Sequence, residues 1–253
     1  MRSRTPRLLG IAVFLAALSL WHGIATFEIV DPSLIPSPSS VYQSLLRRIG
    51  DGTLWRHVSV SIIRVAKGFS IAAVAGGLIG AFLGLSKPLR DAFGPLLDFL
   101  RQIPPIAWIP VFILWFGLGE GSKLSVLVYA AFFPVFLNTQ AAIASLEKEY
   151  FELAEVLRLS RLERLKAVVV PGSIGPVFVG LRLALSNSWR ALVAAEMLAA
   201  SSGLGYMISM SRVLIRSSDM FLGILLVGLL GLLTDRLSLI LQKRVSPWME
   251  ERR

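Results

Sequence analysis

Few residues of this 253-residue chain could carry covalent chemistry, and they are not grouped to do so. The two histidines, His22 and His57, lie in different apolar segments, too far apart to suggest a ligand pair, and suit interfacial or buried positions. Without cysteine there is no disulfide framework, thiolate chemistry or Cys-based metal site. The run Gly117-Leu118-Gly119-Glu120-Gly121-Ser122-Lys123 faintly resembles a phosphate loop. It fails the G-x-x-x-x-G-K-[ST] pattern because Ser122 separates glycine from lysine, so it reads as a tight turn. The chain carries no other nucleotide-binding signature, so any ATP-driven work has to come from a partner.

The residues that invite a functional reading are polar groups inside apolar runs. Arg182, Ser186 and Arg190 recur every four residues and form one gently rotating polar row, since each such step advances ~40° around a helix. Arg190 falls roughly 25 Å along its span at ~1.5 Å rise per residue. A charge at that depth usually faces a bundle interior or a wet cavity. Its planar donor fork suits an anionic solute, while pairing with a carboxylate or a helix-end carbonyl is the structural alternative. Glu196 is ~120° away on the same helix, so the two do not pair directly within it. Together with Asp98 and Asp235, Glu196 is also what an ion-coupled secondary transporter or channel would need. Pro104, Pro105 and Pro110 each remove a backbone donor and disturb their helix. They either line a pathway or merely kink the span, and the same pair of readings holds for Pro134 and Asn138. The pathway candidates are thus Pro104, Pro105, Asn138, Asn187, Arg190 and Glu196.

A charged island at 146–171 separates two apolar runs: LEKEYFELAEVLRLSRLERLKAVVVP. So many charges place it in water rather than lipid. Leu153, Val156 and Leu157 nevertheless fall at helical spacing, and Leu162, Leu165 and Val169 form a second stripe. Between them Ser160-Arg161-Leu162-Glu163 is a capping box, which starts a helix by satisfying orphan backbone donors. The pattern predicts a short amphipathic helix at about 151–159, a break, and a second helix entering the bilayer: a docking element.

These elements hang on a hydrophobic scaffold. The chain is 55% hydrophobic with a mean hydropathy of +0.69, and six spans can be placed at 8–27, 58–85, 95–116, 123–145, 173–198 and 220–241, each near the ~20 residues that cross a bilayer. The expected architecture is an all-α integral membrane protein, one transmembrane domain over 1–253. The first span has the charged start and the Ala17-Leu18-Ser19 site of a signal peptide, but the run continues to Phe27 through Trp21, which favours a retained span. Gly76, Gly80 and Gly84 form a doubled G-x-x-x-G for close helix approach. Loop 28–57 contains Pro32, Pro36 and Pro38 and then a short helix from about Ser39 to Ile49, expected along the outer interface.

The net charge of +10 sits in the loops rather than on a nucleic-acid-binding face. With the amino terminus inside, the inner pieces carry fourteen Lys and Arg; the outer pieces carry six, namely Arg47, Arg48, Arg56, Lys123, Arg212 and Arg216. That asymmetry puts both termini and the charged island in the cytoplasm.

Glu152-Leu153-Ala154, Leu159-Ser160 and Val168-Val169-Val170-Pro171 resemble the E-A-A loop of binding-protein-dependent ABC importer permeases. The segments 100–110 (LRQIPPIAWIP), 114–117 (LWFG), 193–197 (VAAEM) and 203–206 (GLGY) are similar to the nitrate, sulfonate, taurine and bicarbonate group, from about Ile35 onward. The resemblance implies a type I importer fold with six transmembrane helices and a cytoplasmic coupling-helix loop. It also implies a homodimer in a bacterial cytoplasmic (inner) membrane, two cytoplasmic ATPase subunits that bind ATP and Mg, and an external solute-binding protein. This chain would hold no cofactor and perform no hydrolysis. Glu152, Leu153, Ala154, Val156, Leu157, Arg158, Leu159 and Ser160 would then contact the ATPase. In two places the loop departs from the family: Leu153 replaces alanine, and Arg158 replaces a glycine that would ease a left-handed turn. Either the turn moves toward Leu159-Ser160 or its geometry differs.

Overall fold

The computed structural model describes residues 5–27 and 29–245, with side chains for all of these but 5–8 and 11. Arg2, Arg4, Arg252 and Arg253 of the charge count, and the side chain of Arg7, lie outside the described residues. Eleven α-helices follow in order: α1 Thr5–Thr26, α2 Pro38–Gly50, α3 Thr53–Leu85, α4 Lys87–Gln102, α5 Ile109–Phe116, α6 Glu120–Ala144, α7 Lys148–Val156, α8 Arg161–Arg164, α9 Val170–Ala199, α10 Leu204–Val213 and α11 Ser217–Val245. Helices α3, α6, α11 and the continuous run Arg161–Ala199 are each long and apolar enough to cross a membrane.

The third expected span is not a single helix at 95–116. Its helix begins at Lys87, ends at Gln102, and meets the segment Pro105–Phe116 at an 89° bend. The cause is local. Steric clash with Pro104 holds Ile103 extended (φ −77°, ψ 119°). Pro105 and Pro110 then occupy first-turn positions, where a missing N–H costs nothing. Tyr129 donates its hydroxyl proton to Leu100 O at 2.5 Å, covering a carbonyl freed at the end of α4. This bent pair counts as a fifth span if taken as one, while the apolar part of α1, Ala12–Thr26, is shorter.

Helices α3, α6 and α9 form the centre, packed through glycine. A Cβ on Gly76 would sit 2.8 Å from Phe132 O and one on Gly80 2.6 Å from Phe136 O, so the expected glycine stripe is where α3 lies against the α6 backbone. Gly180 of α9 meets Pro134 O and Asn138 Cβ in the same way. One buried cluster joins Val65, Phe112, Leu127, Trp189, Leu192 and Met207 across five helices. Helix α11 is tied to α9 by the Trp189 indole N–H on Thr234 Oγ1 (3.0 Å) and by the Arg182 fork on Asp235 (2.5 and 2.9 Å). The short helix expected after the prolines is α2, capped by Ser37, whose side chain accepts from Ser40 N at 3.2 Å.

Candidate functional site

The charged island forms a short helix, a break and a second helix, but the first helix runs Lys148–Val156, about three residues earlier than expected. Helix α7 buries Ala154, 1% exposed, and leaves Leu153, Val156 and Leu157 56%, 78% and 61% exposed. No described residue of the chain covers these three, and Glu149, Glu152 and Glu155 around them are exposed as well. The break is a Schellman turn: Arg158 N–H donates to Glu155 O and Leu159 N–H to Ala154 O, both at 2.9 Å. The turn has not moved along the chain. Arg158 itself takes φ 51°, accepting the roughly 1–2 kcal/mol that a Cβ costs there. Both halves of the capping box form: Ser160 N donates to Glu163 Oε2 at 2.8 Å, and Glu163 N donates to Ser160 Oγ at 3.3 Å. Helix α8 then runs through a π-turn, Leu165–Val169, into α9.

A second feature is an open cleft of about 330 Å³ lined by Pro105, Ile106, Val126, Ala130, Asn187, Arg190, Ala191 and Ala194. Arg190 is exposed and its guanidinium has no hydrogen-bond or ion-pair partner among the described residues. The segment after the bend supplies one wall, and Pro105, which starts the turn there, lines this cleft. The polar row of α9 divides: Arg182 pairs with Asp235, whereas Arg190 lines the cleft with no partner among the described residues. Asn138 donates to Pro134 O within α6 and packs at the Gly180 contact, and Pro104 is exposed at the bend.

Glu196 belongs to a third constellation, at the end of the bundle away from α7. It is fully buried and accepts from Ser61 Oγ (2.9 Å to each oxygen), Arg64 Nη1 (2.8 Å) and Gly205 N (2.8 Å). Arg64, 4% exposed, also gives Nε and Nη2 to Glu120 at 2.8 and 2.6 Å and Nη1 to Ser202 O at 2.6 Å. Lys123 Nζ completes the network on Glu120 at 2.8 Å. The GLGEGSK run therefore does more than turn, since it supplies two members of a buried ion network. The Gly203-Leu204-Gly205 segment closes over it. A Cβ on Gly205 would stand 2.7 Å from that of Glu196, and Gly203, at φ 117°, donates to His57 Nδ1 at 3.1 Å. Sequence reasoning passed over Arg64 and Ser61. The available signal was their spacing with Gly68, one polar stripe inside an apolar span.

The carboxylates an ion-coupled carrier would titrate are thus already held: Glu196 by Arg64, Asp235 by Arg182. What stays open is an apolar-walled cleft with one free arginine and a charged helix with exposed apolar knobs. With four helices long and apolar enough to cross a membrane, or five if the bent pair is one span, the chain is a multi-pass membrane protein. Residues 73–247 match the family model of the binding-protein-dependent transport system inner membrane component. The taurine transport system permease protein TauC of Escherichia coli (strain K12) is 32% identical over 96% of this chain and 90% of its own length. The putative aliphatic sulfonates transport permease protein SsuC of Bacillus subtilis (strain 168) is 33% identical over 98% and 90%. The bicarbonate transport system permease protein CmpB of Synechococcus elongatus is 32% identical over 93% and 88%. The chain belongs to this family, as an ABC importer permease of the nitrate, sulfonate, taurine and bicarbonate group.

Proposed function

We propose that two copies of this chain form the solute pathway of an ATP-driven importer in a bacterial inner membrane, each with six spans, counting α1 and the bent pair. Both termini and α7 face the cytoplasm, in line with the fourteen-to-six excess of basic residues. Each α7 lies in a groove of an ATPase subunit that carries ATP and Mg, while an external binding protein delivers the solute. The observation that carries this reading is the row Leu153, Val156 and Leu157, exposed on an otherwise charged helix. Closure of the ATPase dimer moves α7, and with it α9 and the wall that bears Arg190. Nucleotide can drive this only through differential affinity for the two states.

The solute is a small anion of the sulfonate, taurine, nitrate or bicarbonate type, the charge its relatives' solutes share and the one Arg190 can accept. Leu157→Asp tests the docking. The variant should insert normally but lose co-purifying ATPase and transport; full ATPase stoichiometry with normal transport would overturn the assignment.

A further inference from the structure

Apart from the cleft and the α7 surface there is an open cavity of about 620 Å³ at the end of the bundle away from α7, between the turn that precedes α2, α2 itself and the start of α11. Three arginines line it, Arg47, Arg48 and Arg216, with two acids, Asp51 and Asp219. The acids are already engaged, Asp219 by Arg48 of the same cavity and Asp51 by Thr53. Asp219 accepts from Ser44 and from Arg48 Nη2 (2.8 Å), and Asp51 Oδ1 accepts from Thr53 N and Oγ1 (2.9 and 2.6 Å).

The arginines retain donors. Arg47 is 71% exposed and only 3.7 Å from Asp219, beyond hydrogen-bond reach. Arg216 has no side-chain partner among the described residues, and Arg48 Nε is buried without one. The segment that presents Arg216 is fixed by the Schellman turn that ends α10: Ile215, at φ 54°, donates its N–H to Arg212 O (3.2 Å), and Arg216 N–H donates to Ser211 O (2.8 Å).

The rim decides the ligand class. Ile215, 75% exposed, lines the cavity; Val213 and Leu214 just before it in the chain, and Leu46 next to Arg47, are also exposed. Tyr42 of α2 and Trp55 in the first turn of α3 are exposed too, residue types that favour membrane interfaces. An acidic protein face would leave those aliphatic side chains in water, whereas a lipid offers acyl chains to them and a phosphate to the arginines. We propose that this cavity binds the phosphate of an anionic phospholipid headgroup, with Arg47, Arg48 and Arg216 donating and α2 lying along the membrane surface as an amphipathic interfacial helix.

The test is native mass spectrometry of the full permease complex from mild detergent, titrated separately with phosphatidylglycerol, phosphatidylcholine and inorganic phosphate. Phosphatidylglycerol should be retained in preference to phosphatidylcholine, and Arg47→Gln and Arg216→Gln should each weaken retention by roughly fivefold. Arg212→Gln, an exposed arginine at the same end but outside the cavity, should leave it unchanged. Equal retention in all variants would overturn the proposal. So would saturation by inorganic phosphate without lipid, which marks a soluble-anion site. Loss of binding-protein affinity with lipid retention intact would also overturn it and place an acidic protein face there.

Discussion

Replacing Glu196 with alanine tests whether the buried ion network holds the end of the bundle away from α7 together. The change removes four accepted hydrogen bonds at once and strands the Ser61 hydroxyl, the Gly205 N–H and part of the Arg64 guanidinium. Removing one partner of a buried pair costs about 3–5 kcal/mol. Glu120, with a side chain 58% exposed, still holds Nε and Nη2 of Arg64, so the lower end, about 3 kcal/mol, is expected. At roughly 2–4 °C per kcal/mol for a chain of this size, the midpoint should fall by about 6–12 °C. Thermal unfolding of detergent-purified protein, followed by tryptophan fluorescence, measures this. Arg64→Met should destabilise alone but recover about 2 kcal/mol when combined with Glu196→Leu, because both buried charges are then gone. Strictly additive penalties in that cycle would refute the pairing, and an unchanged midpoint in Glu196→Ala would refute the burial.

Arg190→Lys and Arg190→Gln in reconstituted vesicles should impair transport while assembly and ATP hydrolysis persist, with Lys the milder; unchanged transport in both would remove Arg190 from the pathway. Arg158→Gly should slow amide exchange at Arg158 and Leu159 by roughly two- to fivefold, since about 1–2 kcal/mol of left-handed cost is relieved against roughly 0.5–1 of added chain entropy. Arg158→Val should speed that exchange, and equal rates in all three proteins would exclude the left-handed turn. Gly80→Leu should destabilise the protein by at least about 1–3 kcal/mol, because the first added carbon already meets Phe136 O at 2.6 Å, and thermal unfolding reads the loss.

The elements visible in the sequence were those specified by neighbours along the chain. The long apolar runs of α3, α6, α9 and α11, the Ser37-led α2 and the Ser160–Glu163 box all rest on periodicity or on contacts three or four residues apart. The bend at Ile103 was also encoded, by Pro104 and Pro105, but its 89° angle depends on what Tyr129 and the core offer to the freed groups. Helix α10 was missed because it lies in a stretch counted only as a loop of a membrane chain. The network around Arg64 was out of reach for a different reason: its partners stand 56 and 132 residues away, and no local rule chooses among the carboxylates available. The same limit split the Arg182–Arg190 row, since only the packed bundle shows that Asp235 claims one arginine and leaves the other.

The spacing of those partners matters during biosynthesis. Arg64 enters the membrane within α3 before either of its carboxylates has been translated. Isolated at the helix centre, such a charge costs about 2.5–3.5 kcal/mol on insertion scales. Glu120 follows after 56 residues and Glu196 only after 132, intervals of roughly 3–11 s and 7–26 s at ~5–20 residues per second. The α3–α6 hairpin is thus the first unit able to neutralise Arg64, and Glu196, when it arrives, completes a site whose cation is already half satisfied. A chain arrested between those two points would hold Arg64 on Glu120 alone, with Ser61 still waiting for its acceptor.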